Sequence, residues 1–310
     1  MLQAIKDAAA KVAEQAEHVN INDRALSSYA QLLSKEGGEA PSYDRVHHFL
    51  GSPEDTLAYI FTLDAVNFGS GYFPYLRKRA GMSGYFTVAS CLKDKFEKHG
   101  AFSARDLLSL TPKACAELFE QPLANAVQTE LMELFATALN DLGDWLESHQ
   151  SFVNVIEAAN QSAEKLAELL TEMPFFQDVS PYQGFDVPLY KRAQITPSDI
   201  ALAFNNEGYG RFDDLDKLTI FADNLVPHVL RVDGLLVYSL ELADNLANGD
   251  LLAPSSAKEV EIRAVSVHVV EQLAKLSNLP ARQLDILLWN RGQEKRYRSA
   301  ERHRTRTVFY

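Results

Sequence analysis

The chain has 310 residues, 46% of them hydrophobic, and a formal net charge of −12, so it can bury a substantial core. Duplex affinity rests on Lys and Arg meeting phosphates, so a chain this acidic is a poor general nucleic-acid binder and no stable nucleic-acid binding is expected. The two cysteines, Cys91 and Cys115, form no CxxC, and the eight histidines are scattered; this argues against a disulfide framework or a metal site and suits a reducing compartment. There is no secretory segment and no apolar run of membrane-spanning length, so a cytoplasmic protein without a membrane partner is expected.

The pattern is helical nearly throughout. Residues 1–19, rich in Ala, Lys and Glu, predict a lightly packed first helix. Asn22 is placed to cap a second helix over 23–35, which "KEGGEAPS" (35–42) breaks. Ser52-Pro53-Glu54 starts a helix to about Val66, with Pro53 in the tolerated first turn. A glycine- and aromatic-rich loop, "NFGSGYFPYLRKRAGMSGYF", follows, then a helix from about Thr87 to Lys98. "SARDLLSLTPKACAELFE" reads as two short helices, and longer helices are expected over 122–148 and 151–173. The stretch "PFFQDVSPYQGFDVPLYKRAQITPSD" has three prolines before its last turn and clustered aromatics, which predicts loop or a short β-hairpin. Helices resume at Pro197, with Thr196 as cap, and again at 213–222. A helix within 254–278 opens with Ser256-Ala257-Lys258-Glu259, an S-x-x-E capping box, and the last covers about 280–290. No repeat or linker separates two cores. The expectation is one α-helical domain over residues 1–310, all-α with a small β-element near residues 175–192.

Four places carry chemistry. Asp223, in "KLTIFADNLVPHVLRVDG", is a carboxylate in an apolar stretch. It reads as a cap for the helix holding "VPHVLRV", as a carboxylate facing a cavity, or as both. Lys191, in "LYKRAQ", follows Phe175, Phe176, Tyr182, Phe185 and Tyr190. The ordinary reading is a solvated cation; the functional one is a loop lysine reaching a phosphate or a carboxylate. In "DAVNFGSGYFP", Asn67 offers a donor and an acceptor, and Phe68, Tyr72 and Phe73 offer ring faces, the means to hold a flat heterocycle; an ordinary aromatic turn fits equally. There is no GxGxxG and no Walker loop. Finally, residues 291–310 hold seven Lys or Arg against two Glu, a formal +5, yet end in apolar "TVFY". If extended, the segment places Arg304 and Arg306 on one face and Thr305 and Thr307 on the other. Residues 303–310 are expected to be ordered and packed near the active cleft.

Taken together, "KRAQ", "LTIFAD-x-x-VP-x-VL", "EIRA", "LLW" and "HRTRTVFY", in that order, resemble one family, the queuosine salvage proteins, which are queuosine 5′-phosphate N-glycosylases. The resemblance runs from about Asp44 to Tyr310. It implies a helical fold similar to helix-hairpin-helix DNA glycosylases, with Asp223 as catalytic carboxylate and Lys191 as the motif lysine. The chain departs from the family where "NF-x-FW" is usual, here Asn67 to Pro74, and in having Asn290 where an acidic residue often follows the Trp.

The implied activity is hydrolysis of the N-glycosidic bond of queuosine 5′-phosphate or a close 7-deazaguanine relative, releasing queuine for tRNA modification. Such cleavage builds positive charge on the ribose, which a fixed carboxylate stabilises. Asn67 and Asn290 are then edge contacts for the base, Phe68, Tyr72 and Trp289 ring surfaces, and Lys191, Arg304 and Arg306 cations for the phosphate. The partner is this small-molecule nucleotide, and the scheme needs no metal or organic cofactor. An N-glycosidase for another modified nucleoside or nucleotide, a DNA glycosylase, which the acidic charge disfavours, and a helical protein that binds a nucleobase without turning it over, remain open. A binder returns the nucleotide intact.

Overall fold

The computed structural model describes residues 1–37 and 42–310. The protein is mainly helical, as the sequence predicts. In chain order its elements are α1 (Leu2–Gln15), β1 (Val19–Ile21), α2 (Asp23–Glu36), α3 (Pro53–Ala65), α4 (Gly84–His99), α5 (Ala104–Leu108), α6 (Pro112–Leu118), α7 (Ala126–His149), α8 (Phe152–Ala159), α9 (Ala163–Leu170), β2 (Val179–Tyr182), β3 (Phe185–Pro188), α10 (Lys191–Ala203), α11 (Val226–Val232), β4 (Leu236–Tyr238), α12 (Leu240–Ala247), α13 (Ala257–Ser277), α14 (Ala281–Arg291) and α15 (Lys295–Arg298). The chain folds into two compact units. The first joins Met1–Pro41, Asp178–Gln194 and Asp214–Arg306; the second joins Ser42–Gln177, Ile195–Asp213 and Thr307–Tyr310.

The first unit is built around α13, against which α1, α2, α11 and α14 pack. This helix is buried on nearly every side, from Glu259 through Val270, so its polar residues must find partners inside the protein. α1 offers it a stripe at helical spacing, Leu2, Ile5, Ala9 and Val12. The hairpin expected near 175–192 is present: β2 pairs antiparallel with β3, with Tyr182 opposite Phe185. Gln183 (φ 44°) and Gly184 (φ 86°) form its two-residue turn, both left-handed, as the twist of a tight hairpin requires. β1 pairs with β4, Val19 opposite Tyr238. Three-residue strands leave no period to read, so this second sheet was not foreseen, and the first helix stops at Gln15.

In the second unit α7 packs on α5 and α6, and α3 on α4, α7 and α8. Ten consecutive residues of α3, Thr56 to Ala65, are buried. Ser52 caps that helix by accepting the Asp55 N–H at 3.2 Å.

Several expectations need correction. The helix over 151–173 is two, because Asn160 (φ 48°) and Gln161 (φ 61°) turn left-handed after α8. α10 starts at Lys191 and holds Pro197 inside it, so Lys191 opens a helix instead of sitting on a loop. Residues 213–222 contain only a 3-10 turn, Leu215–Lys217. Asn22 does not cap α2 with its side chain; its Nδ2 donates to the Gly234 carbonyl at 3.0 Å. The Ser256 capping box does not form: Glu259 accepts from the Ser255 N–H and pairs with Arg263. The break in "KEGGEAPS" begins as expected, α2 ending at Glu36; residues 38–41 of it lie outside the described residues.

Candidate functional site

After its 3-10 turn the chain runs extended through "LTIFA", residues 218–222, with no sheet partner. Buried backbone groups need hydrogen bonds from somewhere. Here side chains from three helices supply them. The Thr219 N–H donates to Gln194 Oε1 of α10 at 3.0 Å. The Phe221 N–H donates to Asp285 Oδ1 of α14 at 2.8 Å. The Ala222 carbonyl accepts from Arg263 Nε of α13 at 2.8 Å. A segment that looks like one more stretch of core is thus pinned on three sides where it delivers Asp223.

Asp223 is not the cap of α11 that its sequence context predicts: the N-cap is Leu225, with no side-chain cap hydrogen bond, and Asp223 closes the turn two residues before it. Its Oδ1 accepts the N–H groups of Leu225, at 2.7 Å, and Val226, at 3.2 Å, at the entrance to α11. Both contacts fall on one oxygen, and the side chain is half-buried.

Three further carboxylates and three cations lie around this turn. Asp285 is buried on the inner face of α14 with Ala281, Leu284 and Leu288, the i, i+3, i+4, i+7 stripe of a core helix. Burial, and then the charge of Asp223, push its carboxyl up to about 7; the Phe221 N–H and the charges of Lys191 and Arg282 pull the other way. Asp178 lies just before β2. Its carboxylate takes a bidentate pair from Arg263, Nη1 at 3.0 Å and Nη2 at 2.6 Å, and its Oδ2 also accepts the Lys191 N–H at 3.1 Å. Glu259 is a third partner of the same guanidinium, after Ala222 and Asp178, at 3.3 Å. Lys191 is 5% exposed, and its charge reaches Asp285. Arg302, exposed at the start of the tail, is within electrostatic reach of Asp223.

Lys191 and Asp223 are thus brought together with Asp285 in the first unit. Trp289 is half-buried on α14 and Asn290 is exposed one residue on. The tail alternates as an extended segment does: His303, Thr305 and Thr307 are buried, while Arg304 and Arg306 are partly exposed. The Arg304 carbonyl accepts the Leu252 N–H at 2.9 Å, and its guanidinium pairs with Glu301 at 2.7 Å. Burial, then Arg263 and Arg302, push the His303 imidazole down to about 3, so it is neutral at ordinary pH.

The remaining candidates belong to the second unit. The Phe68 ring is buried, edge-to-face with Phe135 and Phe175 at 5.2 and 6.0 Å. The Tyr72 hydroxyl donates to Glu130 at 2.9 Å. Asn67 Nδ2 donates to Asp64 at 3.3 Å. Gly69, at φ 102°, gives its N–H to the Tyr310 carbonyl at 3.0 Å.

Sequence reasoning missed Asp285, Asp178 and Arg263. The signal for Asp285 was present in "LDILLW", a lone acid in an apolar helix, the same anomaly that marked Asp223. Arg263 stood inside "EIRA" without a partner to suggest its task. Among the described residues no group of three His, Cys, Asp or Glu side chains is gathered to hold a metal ion, and no helix is long and apolar enough to cross a membrane.

Comparison with known proteins agrees with the motifs. The chain is 36% identical to a Sphaerobacter thermophilus protein, over 97% of this chain and 95% of that one. It is 31% identical to a Dictyostelium discoideum protein, over 100% and 99%, and 27% identical to a Mus musculus protein, over 98% of each. All three carry the name queuosine 5′-phosphate N-glycosylase/hydrolase. The sequence model described as "Queuosine salvage protein" matches residues 47–310, which takes in the whole of the Asp223 turn and its braces, and the chain belongs to the queuosine salvage protein family.

Proposed function

We propose that this protein hydrolyses the N-glycosidic bond of queuosine 5′-phosphate, releasing queuine, with Asp223 and Lys191 at the reacting end. The observation that carries the reading is similarity along the entire chain to relatives that share this one activity name. In the reaction the bond from C1′ to the base nitrogen breaks and its electron pair leaves with the base, which takes up a proton. A water oxygen bonds to C1′ and gives up a proton. Positive charge develops on the ribose between these events, and a fixed carboxylate beside it lowers the barrier.

The local electrostatics favour Asp223 for that role. Asp178 and Glu259 are buried and engaged by Arg263. Asp285 is held protonated up to about pH 7 by burial. Asp223 is the half-exposed carboxylate of the group, and its second oxygen takes no hydrogen bond from the described residues. Lys191, its charge set beside Asp285, supplies a cation to the substrate, with Arg304 and Arg306 as further cations for the 5′-phosphate and Trp289 as a ring surface for the base.

Incubation with queuosine 5′-phosphate followed by mass analysis tests the reading. Free queuine and ribose 5-phosphate are expected from the native protein, and intact nucleotide from Asp223→Asn. Intact nucleotide from the native protein as well would leave a binding protein in its place.

A further inference from the structure

We propose that Arg263 is a positioning residue that fixes Asp223 and Lys191 relative to each other. The inference rests on the roles just proposed for those two side chains. Arg263 is fully buried on α13, the central helix of its unit, and its guanidinium works on two sides. On one, Nε donates to the Ala222 carbonyl, one residue before Asp223. On the other, Nη1 and Nη2 grip both oxygens of Asp178, and Asp178 in turn receives the backbone N–H of Lys191. The Asp178 carbonyl also takes the Leu189 N–H at 2.9 Å, which holds the approach to Lys191.

The donors of a guanidinium lie in one rigid plane. Two chain segments bound to different edges of that plane are held at a fixed spacing. A buried ion pair is weak as a source of stability, because desolvating the charges offsets most of their attraction. Setting geometry is a use to which such a pair is well suited, since a misplacement of about 1 Å at a reacting group lowers the rate about 100-fold. A lysine in the same place keeps the charge but is a single point donor, so it cannot span Ala222 and both oxygens of Asp178 at once.

The test compares Arg263→Lys with Glu259→Gln in the full-length protein. Glu259 touches the same guanidinium at Nη1 and accepts the Ser255 N–H, so Glu259→Gln disturbs the same buried charges while the bonds from Arg263 to Ala222 and Asp178 remain. With queuosine 5′-phosphate, Arg263→Lys is expected to lower kcat about 100-fold or more while KM moves less than about threefold. Glu259→Gln keeps kcat within about threefold. Amide hydrogen exchange reads the same clamp without any substrate: in Arg263→Lys the segments 189–194 and 219–226 lose protection together, and in Glu259→Gln neither does. If Arg263→Lys does not fold, Asp178→Asn carries both measurements, since it breaks the same bridge from the Lys191 side. A folded Arg263→Lys with native kcat, or loss of protection equal in both variants, overturns the proposal. Absence of turnover by the native protein overturns the proposed function instead and leaves the exchange comparison to decide the clamp.

Discussion

Replacing Asp285 by Asn should stabilise the protein, and more so as the pH rises. An ordinary Asp releases its proton near 3.8, whereas burial and the neighbouring Asp223 charge raise this one to about 7. Below about pH 4 both the folded and the unfolded chain hold the proton, and the group contributes nothing to the pH dependence. Between about pH 4 and 7 the unfolded chain ionises while the folded one does not, so rising pH favours unfolding. Above about 7 the deficit is complete. A displacement of about three pH units corresponds to about 4 kcal/mol. Asn carries no charge to desolvate, and its amide oxygen can still accept the Phe221 N–H that Asp285 now holds at 2.8 Å. The attraction of Lys191 and Arg282 is already contained in that net displacement. The expected stabilisation is therefore near zero around pH 4 and approaches about 4 kcal/mol at pH 8. Urea unfolding at pH 5 and pH 8, followed by circular dichroism, measures it. A variant whose advantage does not grow with pH, or that is weaker than the native protein by the same amount at both, refutes the reasoning.

Asp223→Asn keeps an oxygen for the Leu225 and Val226 N–H groups, so the turn and the unfolding midpoint should survive, while turnover falls ~10²–10³-fold or more with the lost charge; native-like turnover removes Asp223 from the chemistry. Lys191→Met, which retains the apolar stem of a 5% exposed side chain, should lower activity far more than stability, and the loss should be smaller on the unphosphorylated nucleoside if Lys191 holds the phosphate. Deleting residues 303–310 removes buried His303, Thr305, Thr307 and Tyr310, and burial of one large apolar side chain is worth roughly 1.5–3 kcal/mol, so a chain ending at Arg302 should unfold earlier and turn over less; unchanged unfolding and turnover would dismiss the tail. Each compact unit is assembled from three separate segments and the chain passes between units five times, so the whole is expected to melt in one calorimetric transition with equal calorimetric and van't Hoff enthalpies, and two resolved transitions would mean two domains.

Local signals in the sequence reached far in some places and stopped short in others. Ser52-Pro53, the short helices around Thr111-Pro112 and the stretch near 175–192, which read as loop or short β-hairpin, were legible because each is decided within a few residues. The Asp223 turn was legible as an anomaly, a charge where apolar groups surround it. Residues 213–222 read as helix because nothing local shows that their backbone is served by Gln194, Asp285 and Arg263, which stand 25, 64 and 41 residues away from the groups they bond. The start of α10 was hidden in the same way: Pro197 argues locally for a boundary, while the Lys191 N–H is satisfied by Asp178 from across the hairpin. In both of these places what escaped the sequence is a backbone group whose partner is a side chain on a distant element.

Under the proposed function the charge pattern poses a further problem, which we propose the tail resolves. A chain of net charge −12 repels a phosphorylated nucleotide at long range, yet at physiological ionic strength such repulsion fades beyond about 8 Å. Capture then depends on cations held at fixed positions close to the reacting carbon. A disordered basic arm would supply charge without position. Here the segment is fastened by buried His303 and Thr305 and by the Leu252 N–H bound to the Arg304 carbonyl, so partly exposed Arg304 and Arg306 stand on an anchored backbone, and Arg302 comes within reach of Asp223. An anchored cation costs little entropy to bring to a phosphate, because its backbone is already ordered before the substrate arrives. Under the proposed function, an ordered stretch 303–306 is therefore what lets an acidic protein offer a local site to an anion.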